Sequence, residues 1–287
     1  MAKRGDGVDW ANLVLEPFSH EFMRDALQMA LMVAFLCGTL GVLLMPRGLS
    51  MVGDGLAHAT LGGVGAALLM GLAPETSIWA AMPFSVVVAL GISWLGRHAK
   101  IAEDAALGVF FAVSLAVGIA AIHRASRAGI NVDMEGLLFG NILAVQPGDV
   151  KIVLVLTIAC ALVLSWFAPR IAYAGFYPEL AAMSGVRVAL KEYLLMTLTA
   201  VVTVTAVHAV GVLLVSAYLV IPTVTARMVT RRFGPMMSAT IFTGMSGSAI
   251  GLIMSYHFDI PTGAAMTLAL GGCFVFALGL RGLRFSR

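Results

Sequence analysis

Charge is scarce in this 287-residue chain: Asp, Glu, Lys and Arg make up 11% of it, against 60% apolar residues and a mean hydropathy of +0.96. A soluble domain carries about a quarter charged residues, and a globule of this size has too little interior to hide so much apolar material. A water-soluble fold and a disordered chain are both excluded. Lysine occurs only at positions 3, 100, 151 and 191, and none closes a GxxxxGK[ST] loop, so the chain cannot bind ATP through a P-loop of its own. The three cysteines, Cys37, Cys160 and Cys273, lie far apart inside apolar runs. They read as small buried hydrophobes, not a disulfide framework. The net charge of +3 is small, and the basic residues sit at the ends of apolar runs instead of on one face, which excludes a nucleic-acid binder. His20-Glu21-Phe22-Met23-Arg24 starts like HExxH but has Arg24 where the second histidine must stand, so a zinc protease is out. The charge-rich first 25 residues argue against a cleaved signal peptide, whose apolar core comes earlier.

What the chain does have is apolar runs. About 17–25 apolar residues cross a ~30 Å hydrocarbon layer as a helix, and such runs lie near 26–45, 55–73, 78–95, 105–122, 150–168, 193–208, 210–228, 236–256 and 262–280. The expected fold is an all-α integral membrane protein of about nine transmembrane helices. From Tyr193 to Ala226 there are 34 residues without a charge. At ~1.5 Å per residue a single helix of that length would measure about 51 Å. A tight hairpin is expected there, its return arm broken where Pro222 removes a helix hydrogen bond. Nine crossings put the termini on opposite sides. With the C-terminus in the cytosol, twelve basic residues fall inside, Arg47, Arg97, Arg187, Arg227, Arg231 and Arg232 among them, and six fall outside. The positive-inside rule therefore places the N-terminus outside. No repeat or low-complexity linker divides the chain, which leaves an external segment 1–25, one membrane domain 26–280 and a cytosolic tail 281–287. Small residues recur every fourth position at Gly55, Ala59, Gly63 and Ala67, and again at Gly247 and Gly251, as in helices that approach closely in lipid.

An ionisable residue inside a span costs roughly 2.5–3.5 kcal/mol at a helix centre, so it invites a functional reading. Within the spans these are Asp54, His58 and His208. Asp54 and His58 are four apart and share a helix face. A carboxylate beside an imidazole suits zinc, manganese or iron, and it is equally a polar pair that neutralises its own burial. His208 alone leans structural. The 17 methionines show no clustering near a cysteine and read as gap-fillers, not copper ligands. Gly244-Met245-Ser246-Gly247 matches the short GxSG pattern of intramembrane serine proteases. The nearest downstream base, His257, is eleven residues on, about 16 Å along one helix. Helix packing accounts better for these small residues.

Residues 49–65, LSMVGDGLAHATLGGVG, resemble the permease subunits of ABC-type zinc, manganese and iron importers, whose pattern there reads approximately LSLxGDALSHAxLPGV. Leu138 to Val145 looks like the family's LFGNILAV. Tyr177-Pro178-Glu179-Leu180-Ala181 with Gly185-Val186 is similar to its DPELAxxxGV, and Val212 to Arg227 follows its VGxLLVxALLVIPAATAR. The four matches fall in order, and the resemblance runs from about residue 22 to 280. Gly55 and Ala57 replace the usual alanine and serine, Gly62 stands where proline is common, and Tyr177 replaces an aspartate.

The resemblance implies a permease of the vitamin B12 importer type (a type II ABC importer), working as a homodimer in a prokaryotic inner or plasma membrane. Two cytosolic ATPase subunits would hydrolyse ATP, the chain itself being no enzyme, and a metal-binding protein outside would deliver the ion to loops that include Glu75, Asp133, Glu135 and Asp259. No cofactor is expected to stay bound. The cargo is a divalent ion, zinc, manganese or ferrous iron, touched in transit by Asp54 and His58 and with less weight by His208. Coupling to the ATPase is expected from Thr223 to Phe233, including Arg227, Arg231 and Arg232, or from Glu179 and its neighbours. The rival readings are a permease for a chelated metal such as a siderophore or cobalamin, and a secondary transporter driven by an ion gradient.

Overall fold

A computed structural model describes residues 16–99, 101–129, 136, 138, 140, 142–144 and 147–285. Among them the chain is helical: α1 (Glu21–Leu44), α2 (Val52–Leu69), α3 (Pro74–His98), α4 (Glu103–Arg127), α5 (Pro147–Phe176), the short α6 (Pro178–Met183), α7 (Val188–Val210), α8 (Val212–Val229), α9 (Phe233–Phe258) and α10 (Thr262–Phe285). Eight of these are long and apolar enough to cross a membrane. The ninth long helix, α2, has 18 residues, and Asp54, His58 and five glycines dilute its apolar character. Prolines open α3, α5 and α6, where a missing N–H costs no helix bond.

The helices fall into two groups. α2 packs on α4 and α3, and α8, α9 and α10 pack on one another. Between the groups stand α1 and α7, the two spans buried along most of their length. Glycine sets the tightest approaches. A Cβ on Gly118 of α4 would lie 2.7 Å from the Leu61 carbonyl oxygen and 2.8 Å from the Gly62 nitrogen, so α2 and α4 touch backbone to backbone. Of the stripe expected on α2, Gly55 faces Leu107 of α4 and Gly63 faces Ala81 of α3, while Gly62 and Gly65 make the closest contact with α4. Gly247 and Gly251 of α9 seat against Leu270 and Met266 of α10.

Two expectations need correction. The Tyr193–Ala226 stretch is not a packed hairpin. α7 and α8 are joined by the single residue Gly211, whose φ of 82° and ψ of 163° favour glycine. One residue cannot span the 8–10 Å between antiparallel helix axes, so α7 turns to α3 and α8 to α9 and α10. Gly140 (φ 72°) lies on this joint, and any side chain there would overlap the Val210 carbonyl. Nor is the return arm broken: α8 runs through Pro222 to Val229. Thr223 Oγ1 donates to the Leu219 carbonyl at 3.1 Å and Thr225 Oγ1 to that of Ile221 at 2.7 Å, each four residues back in the same helix.

One end of the bundle collects the basic residues. Glu192, in the second turn of α7, accepts a two-pronged bond from Arg97 of α3 (Nε–Oε1 3.2 Å, Nη2–Oε2 2.6 Å), and Arg47 after α1 approaches Oε2 at 3.6 Å. Sequence periodicity cut the span at Tyr193 and missed this pairing. The last helix runs on to Phe285, through residues expected as a tail.

Candidate functional site

α2 is enclosed almost throughout: between Val52 and Leu68 only Asp54, His58 and Ala66 escape full burial. The Asp54 side chain is 39% exposed and that of His58 17%. Their polar atoms thus open on accessible surface, at the seam where α2 of one group meets α8 of the other.

The two side chains lie within ion-pair range but share no hydrogen bond. His58 Nδ1 and Asp54 Oδ1 are 3.7 Å apart, beyond hydrogen-bond reach. His58 Nδ1 lies 3.0 Å from the Asp54 main-chain oxygen instead. A carbonyl only accepts, so Nδ1 is the donor in this contact, and in the neutral ring the lone pair is then on Nε2. Asp54 Oδ1 accepts a bond of 2.6 Å from Ser216 Oγ of α8. No hydrogen bond among the described residues engages Asp54 Oδ2 or His58 Nε2. Phe111 of α4 meets the His58 ring edge-on at 4.8 Å and walls it on one side. One carboxylate oxygen and one imidazole nitrogen on neighbouring turns of α2 are thus without a hydrogen bond, and both are donor types that suit zinc, manganese or ferrous iron. Among the described residues no three His, Cys, Asp or Glu side chains gather into a cage.

His208 is engaged elsewhere. From the end of α7 its Nε2 reaches Asp149 Oδ1 of α5 at 3.3 Å, and its ring lies 4.8 Å from that of Trp79. Asp149 was missed because it precedes its apolar run. Ser216 was missed because a lone serine in such a run carries no signal of its own.

At the basic end, Arg227, Arg231, Arg232 and Glu179 are all exposed. Phe233 meets Phe176 edge-on at 6.3 Å, which joins the start of α9 to the α5–α6 corner. The two stretches expected as alternative coupling elements therefore form one surface. Tyr177, Leu180 and Met183 stand out from it, exposed to 58%, 53% and 85%. Thr223 does not reach it, being 2% exposed and packed over Gly41 of α1. Ser246 donates to its own helix, to the carbonyls of Phe242 (2.8 Å) and Thr243 (3.1 Å), as a packing residue does and a nucleophile does not. Of the expected outer acids, Asp259 takes the left-handed turn after α9 (φ 51°). Asp133 and Glu135 lie outside the described residues, as does the side chain of Glu75.

A family model for the ABC 3 transport family matches residues 19–281. The chain belongs to this family. Similar members include the manganese transport system membrane protein MntC of Halalkalibacterium halodurans, 32% identical over 90% of this chain and 87% of that protein. The probable iron transport system membrane protein of Haemophilus influenzae is also 32% identical, over 96% of this chain and 98% of its own. Among solved structures, PsaBC from Streptococcus pneumoniae in complex with Fab superposes with a TM-score of 0.80 at 30% identity, covering 93% of this chain and 95% of that one. An ABC 3 family chain of this length and hydropathy is a multi-pass membrane protein, as its apolar helices require.

Proposed function

We propose that the chain is the permease subunit of an ATP-driven importer of a divalent transition-metal ion, with manganese and ferrous iron ahead of zinc because its relatives are named for the first two. The carrying observation is that Asp54 and His58, one turn apart on an otherwise buried helix, are the partly accessible ionisable residues of α2 and leave Asp54 Oδ2 and His58 Nε2 without a hydrogen bond among the described residues. In hydrocarbon, unbonded polar atoms are costly, and a passing cation is the partner they suit. Two donors hold an ion weakly. A homodimer with this face at its axis would supply four, enough to strip water from the ion and still release it. Alternating access then amounts to the two helical groups moving against each other at the α2–α8 seam.

ATP is hydrolysed by separate cytosolic subunits that dock on the surface formed by α6 and Arg227–Phe233. A binding protein delivers the ion on the opposite side, where the N-terminus lies. The collection of Arg47, Arg97, Arg231 and Arg232 at one end supports that orientation in a prokaryotic plasma membrane. Radiolabelled manganese, iron and zinc uptake by cells with and without the gene tests the reading. Asp54→Ala and His58→Ala should each abolish gene-dependent uptake at unchanged protein abundance. His208→Ala should keep most of it, because Asp149 already holds that ring. Wild-type uptake in both Asp54→Ala and His58→Ala cells would refute the site.

A further inference from the structure

The hydroxyls of the membrane helices have a habit that Ser216 breaks. Thr39, Thr60, Thr199, Thr205, Thr225 and Thr240 each donate to the carbonyl four residues back in their own helix, at 2.7–3.0 Å. This is how an isolated hydroxyl satisfies itself in an apolar span. Ser216 donates across the seam, 2.6 Å to Asp54 Oδ1. It does so from a half-buried position on the open face of α8, where Leu213, Ser216, Val220, Val224 and Arg227 follow at helical spacing while their neighbours are mostly buried.

A carboxylate has two oxygens, and how many of them a metal takes decides how tightly it is held. Both oxygens together grip a hard cation in a flexible chelate, whereas one oxygen makes a weaker bond that exchanges readily. With Oδ1 held by the Ser216 hydroxyl, Oδ2 is the carboxylate oxygen left without a hydrogen bond among the described residues. We infer that Ser216 is a positioning residue: its hydroxyl restricts Asp54 to one-oxygen coordination and so sets how fast the ion leaves. The inference rests on the reading of Asp54 and His58 as ion contacts. Because Ser216 stands on α8, eleven residues before Arg227 and so about 16 Å along the helix from the basic end, a displacement of α8 would change the grip on the ion directly.

The test is manganese uptake kinetics in cells expressing the permease with its partner subunits, at matched abundance. Ser216→Ala frees Oδ1, and the expected result is a maximal rate lowered about tenfold, the lower end of what one hydrogen bond to a charged group is worth, with KM unchanged or lower. Ser216→Thr keeps the hydroxyl and should restore the rate. Wild-type kinetics in Ser216→Ala, a raised KM at full rate, or an equal loss in Ser216→Thr would overturn the inference. If Asp54→Ala and His58→Ala abolish uptake while Ser216→Ala is silent, only the role of Ser216 falls. If neither abolishes uptake, the site itself falls.

Discussion

Glu192 is the residue whose loss should be felt most in the stability of the bundle. Its side chain is 9% exposed and lies between two guanidiniums, Arg47 at 10% and Arg97 at 30% exposure. Replacing it with alanine removes both bonds to Arg97 and the 3.6 Å approach of Arg47, leaving two like charges at the ends of α1 and α3 with no anion between them. Breaking a buried ion pair by deleting one member costs about 3–5 kcal/mol. Here the lower end applies, about 3 kcal/mol, because Arg97 can turn toward water and screen itself. At about 2–4 °C per kcal/mol for a chain of this order, the midpoint should fall by about 6–12 °C. The assay is thermal unfolding in detergent, read with a thiol-reactive dye, since Cys37 and Cys160 are both free and buried and react as the helices part. Arg97→Ala should cost less than Glu192→Ala, because Arg47 remains to serve the carboxylate, and the double variant should cost less than the two singles added. A Glu192→Ala midpoint within about 2 °C of wild type would refute the idea that this carboxylate holds the three helix ends together.

Gly118→Ala should lower stability by about 1–3 kcal/mol, as overpacking does, and should reduce uptake without touching an ion contact, because its Cβ would press on the Leu61 and Gly62 backbone beyond His58. Gly271→Ala, with nothing within 4 Å of its Cβ, is the matched control, and equal melting of the two variants would contradict the backbone-to-backbone packing of α2 on α4. Arg231→Glu with Arg232→Glu should weaken co-purification of the ATPase subunit. So should Met183→Asp, since α6 and the start of α9 share one surface. Unchanged co-purification in both would move the docking surface elsewhere.

Hydropathy located the nine long helices among the described residues, eight of them apolar enough to cross a membrane, because a bilayer imposes length and apolarity on its spans. It failed where tertiary partners change the local rule. Pro222 reads as a break, yet α8 continues through it to Val229, packed between α1, α2, α9 and α10. The charge-free run of 34 residues reads as a hairpin because pattern cannot show that Gly211 alone forms the joint. Glu192 reads as the flank of a span because its two arginines stand 95 and 145 residues away in sequence. Asp54 and His58 stood out because a carboxylate and an imidazole in an apolar run are conspicuous in any context. Their partner Ser216, 162 positions away, could not have been paired with them from spacing.

The two carboxylates set among these helices differ in a way that bears on function. Glu192 and Asp54 both sit among helices that otherwise exclude charge, yet only one of them is saturated. Glu192 has arginine on each side and no further role to fill. Asp54 is given a single hydroxyl, and the imidazole one turn on bonds the Asp54 backbone carbonyl, its Nδ1 stopping 3.7 Å from the carboxylate. A helix that needed only to hide its own polar groups would close that pair, at a gain of about 1–3 kcal/mol for a charge-assisted bond. Leaving it open favours a third body that binds between them, and releasing that body requires that neither group hold it with full strength.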